Sequence, residues 1–180
     1  MSLQHNLKAA QAALEYTQSK LKKGAGNKWK DLVDTGGMNF FRVDAMRDAR
    51  KGISGLGGTA PGAPESMTTY PKVKWMSRTA IACGVGNCGE NASVAFVFLY
   101  ETWRMKRLDW MRYNDPGDHA WLLIGRAAGS TTADYRTWGN EAVVCDPWGD
   151  IVFHGLKTPQ YLYGWAKNGR YGTGAFCSAK

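Results

Sequence analysis

A thiol attacks well only as a thiolate. Two surroundings favour that form: the positive N-terminal end of a helix and a neighbouring imidazolium. The stretch GNCGENASVA (86–95) puts Cys88 where an apolar run of helical spacing begins. There the helix dipole faces the sulfur, and the Cys88 N–H can help to bind an oxyanion. Gly86 and Gly89 permit a tight turn and close approach of a substrate backbone. A base is needed next, and the chain has three histidines. His119 opens the apolar run HAWLLIGR (119–126) just after the turn-like NDPGD (114–118), so it stands at the mouth of a strand. His5 falls in a polar N-terminal helix and is expected to face solvent. His154, after DIVF (150–153), is the minor rival for the base. The third role is an acceptor that fixes the imidazole tautomer and supports its charge. Asp146, at the end of EAVVCD and before Pro147, fits if its strand lies beside that of His119. Cys145 should then point to the opposite face, into the core.

Each residue alone has a plainer explanation. Free cysteines are commonly buried, strand histidines are commonly satisfied structural groups, and Asp before Pro commonly caps a turn. The order shifts the balance: Cys at a helix start, His at a strand start, Asp at a strand end. Around them, Glu90 is expected to offset the helix dipole, with substrate binding or tuning of Cys88 as its other option. Trp121, two residues beyond His119 on the same strand face, and Trp148 either line a substrate groove or pack in the core.

GNCGENASVAFVFLY, DHAWLLIG and AVVCDPW together resemble the papain-like and transglutaminase-like cysteine enzymes, closest to bacterial toxin or effector branches. The resemblance spans roughly positions 84–148. It implies that Cys88 is the nucleophile, His119 the general base and acid, and Asp146 the orienter. It also departs from the family pattern. No glutamine occurs in 72–87 to donate to the oxyanion, and Gly89 stands where papain has an aromatic residue. Asn87 is the candidate side chain for the missing donor, with Gly89 beside it.

These residues need elements to position them. Residues 3–23 read as a helix, with Leu7, Leu14, Leu21, Ala10 and Ala13 on one side, ended by Gly-Ala-Gly at 24–26. A short helix is expected near 39–51. Residues 52–71 hold five Gly and three Pro and read as a loop or linker. It divides an N-terminal helical segment (1–51) from a papain-like catalytic core (72–180), the whole forming one compact domain. Residues 87–107 read as a long helix closed by basic residues. Strands are expected at 119–126, 141–148 and 150–153, and an irregular packed tail from 159. The insertion AAGSTTADYRTWGNEA (127–142) is either a groove wall or a long hairpin. The fold class is α+β: the nucleophile-bearing helix on an antiparallel sheet.

Composition sets bounds. The chain has 180 residues, 44% apolar, enough for one domain with a real core. Its net charge is +8, which suits nucleic acid, an anionic membrane or an acidic partner. The densest basic run, KLKKGAGNKWK (20–30), has a plain explanation as helix-end compensation, and no nucleic-acid motif accompanies the charge. The four cysteines include no CxxC pair, so no zinc site is expected, and no cofactor is implied. There is no signal-peptide pattern and no run long enough to span a membrane.

The expectation is a cysteine-dependent acyl-transfer enzyme working on an amide: a protease, glutamine deamidase or transglutaminase-like enzyme. By resemblance it would be a toxin or effector secreted without a cleaved signal, acting on a protein, with an immunity protein as a partner if antibacterial; the other placement is cytoplasmic. The alternatives are a peptidoglycan amidase or endopeptidase toxin, and a catalytically inert papain-like binding module.

Overall fold

A computed structural model describes residues 1–55, 69–113, 119–158 and 173–179. Among them are five helices followed by one five-stranded antiparallel sheet, an α+β architecture. The helices are α1 (Leu3–Lys20), α2 (Trp29–Asp34), α3 (Met38–Gly55), α4 (Thr69–Cys83) and α5 (Cys88–Glu101). The strands are β1 (Leu108–Tyr113), β2 (Ala120–Ile124), β3 (Val143–Asp146), β4 (Ile151–His154) and β5 (Thr173–Ala179). Their spatial order is β4-β3-β2-β1-β5.

Ser2 caps α1 by accepting the His5 N–H at 3.3 Å. Ala9, Ala10, Ala13 and Leu14 then form a buried stripe whose small side chains let the helix lie close to the sheet. That stripe belongs to the same core as Cys88, so the N-terminal segment is a layer of the domain. The helix near 39–51 is longer than expected. It runs through Gly55, and α4 begins at Thr69, so both ends of the anticipated linker 52–71 are helical; positions 56–68 lie outside the described residues. Helix α4 carries a buried i, i+4, i+7 stripe of Val73, Ser77 and Ala80. Pro71 sits in its first turn, where a missing N–H costs nothing.

The helix expected over 87–107 stops at Glu101. Arg104 and Arg107 both take φ 54°, turning the chain into β1, which the longer helix would have consumed. Strands β2, β3 and β4 are antiparallel neighbours, with Leu122 opposite Cys145 and Asp146 opposite Ile151. Part of the expected irregular tail is the strand β5, paired with β1 across a register shift at Trp110/Met111; residues 159–172 and the turn 114–118 lie outside the described residues.

The sheet is covered on both sides. Ala120, Leu122, Ile124, Val143 and Cys145 face α1 and α5. Met111, Trp121, Leu123, Val144 and Phe153 face the other way and are closed over by Trp138 and Ala142. The insertion 127–142 is thus a core cover, folded through a 3-10 turn at Tyr135–Thr137. Trp138, fully buried, donates its Nε1–H to the Thr131 carbonyl at 3.0 Å.

Candidate active site

Asn87 is the N-cap of α5 and Cys88 its first residue. Asn87 and Glu90 form a capping box, in which the Asn87 N–H donates to Glu90 Oε2 at 3.0 Å. Glu90 is buried and its charge serves the helix start, the plainer of its two anticipated roles. Gly86 is required here, because a Cβ would lie 2.5 Å from that of Glu90. The Asn87 side chain also accepts the Gly26 N–H at 2.9 Å through Oδ1. With Oδ1 used for cap and loop, the amide Nδ2 is its donor end. Gly89 sits one residue inside the helix, where a Cβ would make only ordinary contact with Met76 and Trp110.

His119 lies one residue before β2, at the end of the sheet, and touches both layers. From one side it hydrogen-bonds Cys88. From the other it stacks on Trp121, ring centroids 5.8 Å apart. Its Nε2–H donates to Asp146 Oδ2 at 2.7 Å, leaving Nδ1 for the sulfur. The other carboxylate oxygen, Oδ1, accepts the Gly149 N–H at 3.0 Å. Cys88, His119 and Asp146 are all buried. Burial opposes a charged ring, but the hydrogen bonds to Asp146 and Cys88, with the charges behind them, outweigh it. They lift the His119 pKa from 6.5 to about 9. A ring this basic, hydrogen-bonded to the thiol, is placed to take its proton.

The remaining candidates fall into place around this chain of bonds. Trp121 has no exposed surface; it is the floor behind His119 in the second core, which removes it as a groove wall. Trp148 is half-buried and meets the His119 ring edge-on at 5.4 Å. Its indole N–H donates to Asn27 Oδ1 at 3.1 Å, and its carbonyl accepts from Lys28 Nζ at 3.1 Å. His154 is excluded by register. It pairs with Val143, three residues along β3 from Asp146 and so about 10 Å away, and its Nε2 contacts the Asn140 carbonyl at 2.8 Å. His5 is exposed, as expected. Cys145 points into the opposite face and donates to the Ala10 carbonyl at 3.4 Å; burial pushes its thiol pKa far above the ordinary value. Cys83, Cys88 and Cys145 are free thiols. Among the described residues no cluster suited to a metal occurs.

Residues 23–28 were missed as part of the site. This loop bridges the start of α5 and the Trp148 turn. Lys23 N–H donates to the Gly84 carbonyl at 3.0 Å, Gly86 N–H to that of Gly24 at 3.3 Å, and Asn27 and Lys28 hold Trp148. Contacts across some 120 positions leave no local signal. Gly149 did have one, since Asp-Pro-Trp-Gly is a turn with Asp first and Gly fourth.

Compared with protein-family models, with curated proteins and with solved structures, the chain matches none.

Proposed function

We propose that this protein is a cysteine-dependent acyl-transfer enzyme with a papain-like or transglutaminase-like core. The observation that carries the reading is the buried Cys88–His119–Asp146 relay at the first residue of α5. The Cys88 thiolate attacks an amide carbonyl. The oxyanion is met by the Cys88 N–H, one of the helix donors without an intrahelical acceptor, and by Asn87 Nδ2. The His119 imidazolium gives its proton to the leaving amine as the C–N bond breaks, and a thioester to Cys88 remains. His119, now neutral, takes a proton from water or from an acceptor amine, which attacks the thioester and releases the Cys88 thiolate. Water yields hydrolysis of a peptide or deamidation of glutamine; an amine yields transglutamination. Delivery into a target cell as an effector or toxin, with an immunity protein as its antagonist, extends the same reading from sequence resemblance.

Iodoacetamide at neutral pH should alkylate Cys88 much faster than half-buried Cys83, and His119→Ala should remove the difference. Equal rates in the native protein would leave the inert-module reading. Incubation with a peptide panel and with peptidoglycan then identifies the amide: Cys88-dependent release of muropeptides moves the substrate to the cell wall.

A further inference from the structure

We propose that the α2–α3 hairpin and the lysine-lined recess beside it form a docking site for an anionic lipid surface. Within positions 29–41, Trp29 is 80% exposed, Phe41 67%, Val33 59%, Phe40 53% and Met38 51%. Scattered exposed apolar residues are ordinary, but five in one short hairpin are not. Core packing does not explain them: α2 buries none of its residues, and on α3 the core takes Asn39, Val43 and Met46 instead. Trp29 and Val33 are spaced i, i+4 on α2, and Met38 and Phe41 i, i+3 on α3, so each pair shares a helix face. A tight turn at Gly36 and Gly37, φ 55° and 82°, joins the helices, closed by the Gly37 N–H on the Leu32 carbonyl at 2.7 Å.

The charge around the hairpin is complementary to such a surface. Positions 20–42 hold six Lys or Arg against two Asp, and Lys22, Lys23, Lys30 and Arg42 are exposed. A recess of about 190 Å³ is lined by Lys22, Lys28 and Lys30, the last two flanking Trp29 in the chain, with Leu21 and Trp148 among its walls. Its two acids are already engaged. Asp150 accepts from Lys28 at 2.5 Å and from Gln18 at 2.9 Å, and Asp31 takes the Ala25 N–H at 2.7 Å. Lys22 and Lys30 make no ion pair among the described residues. Ammonium groups at headgroup depth beside Trp and Phe at the acyl boundary are the two components of interfacial binding. Trp148 is both a wall of the recess and the ring against His119, so docking sets the candidate active site beside the membrane. The inference does not depend on catalysis.

Co-sedimentation of the chain with phosphatidylcholine vesicles containing about a third phosphatidylserine tests it. Binding to these and not to pure phosphatidylcholine is expected. Trp29→Ser with Phe41→Ser, and separately Lys22→Glu with Lys30→Glu, should each weaken binding about tenfold or more. All four side chains are exposed, so an unchanged circular dichroism spectrum is expected for both double variants. Brominated lipid should quench part of the tryptophan fluorescence, and Trp29→Phe should remove that part. Failure to bind anionic vesicles overturns the proposal. So does undiminished binding by the apolar double variant, which means adsorption by charge alone. Displacement by inorganic phosphate at matched ionic strength, without quenching, assigns the recess to a soluble anion. Self-association abolished by Trp29→Ser, without vesicle binding, assigns the patch to a second copy of the chain; either result overturns the lipid reading.

Discussion

Cys88 and Cys145 belong to one core cluster, yet they occupy regions with opposite chemistry. Cys145 lies mid-sheet, fully buried, with a backbone carbonyl as its partner and a thiol pKa driven up by burial. Cys88 is nearly as buried at 7% exposure, but it starts a helix at the end of the sheet, and its partner is a histidine backed by a carboxylate. Burial alone therefore does not decide whether a thiol is inert. What decides is whether the buried site also supplies a positive charge. The end of a sheet can do this where its middle cannot. There a helix terminus, a strand mouth and a turn meet, and each brings polar groups that the ladder does not consume.

The largest effects should come from removing that supply. Cys88→Ala or His119→Ala is expected to lower the rate by about 10⁴-fold or more, measured on whichever amide substrate the panel identifies. Asp146→Asn keeps the shape and loses the charge that holds Nε2–H; a loss of about 10²–10⁴-fold is expected. If Cys145→Ala lowered the rate as much as Cys88→Ala, the contrast between the two regions would be wrong.

Next in size is the oxyanion donor. Asn87→Ser keeps a capping oxygen for α5 and removes the amide. A loss of about 10²–10³-fold in kcat is expected, with only the modest fall in Tm that losing the Gly26 bond brings. A fall in Tm with kcat intact would reduce Asn87 to a cap. Smaller again is Gly149→Ala, whose Cβ would lie 2.8 Å from Asp146 Oδ2, the oxygen that accepts from His119. Displacing that carboxylate by a fraction of an ångström should cost about tenfold in kcat.

The parts of this site differed in how legible they were. Elements with strong local periodicity could be read: α1 from its Ala/Leu stripe, β2 from the apolar run that His119 opens, and β3 from the run that Asp146 ends. The split between Cys145 and Asp146 followed from strand alternation alone. Unreadable were features set by tertiary contact. Helix α5 ends early because Arg104 and Arg107 adopt left-handed backbone, a choice that helix-favouring residue types do not announce. Helix α4 was hidden because its stripe includes Ser77. Trp121 faces the side predicted for it, but that side holds a second core under Trp138, a residue embedded in a polar loop. The papain-like assignment itself rests on motif order and the relay, and remains the proposal that the rate measurements above test.

The finest test uses pH. His119 has a folded pKa raised from 6.5 to about 9. A raised pKa means that its charged form stabilises the fold fully below 6.5, and that this contribution is lost as pH rises through about 9. The Tm advantage of the native chain over His119→Gln should therefore shrink across that window. The rate should fall over its upper part, because protonation of the leaving amine needs the imidazolium. Asn27→Ala removes the acceptor that holds Trp148 over the ring, and water admitted at His119 relieves the burial that opposes its charge. The alkaline limb should then move to higher pH, with little loss of rate at neutrality. An unmoved limb would mean that Trp148 covers the relay without influencing it, and that the basicity of His119 belongs to Asp146 and Cys88 alone.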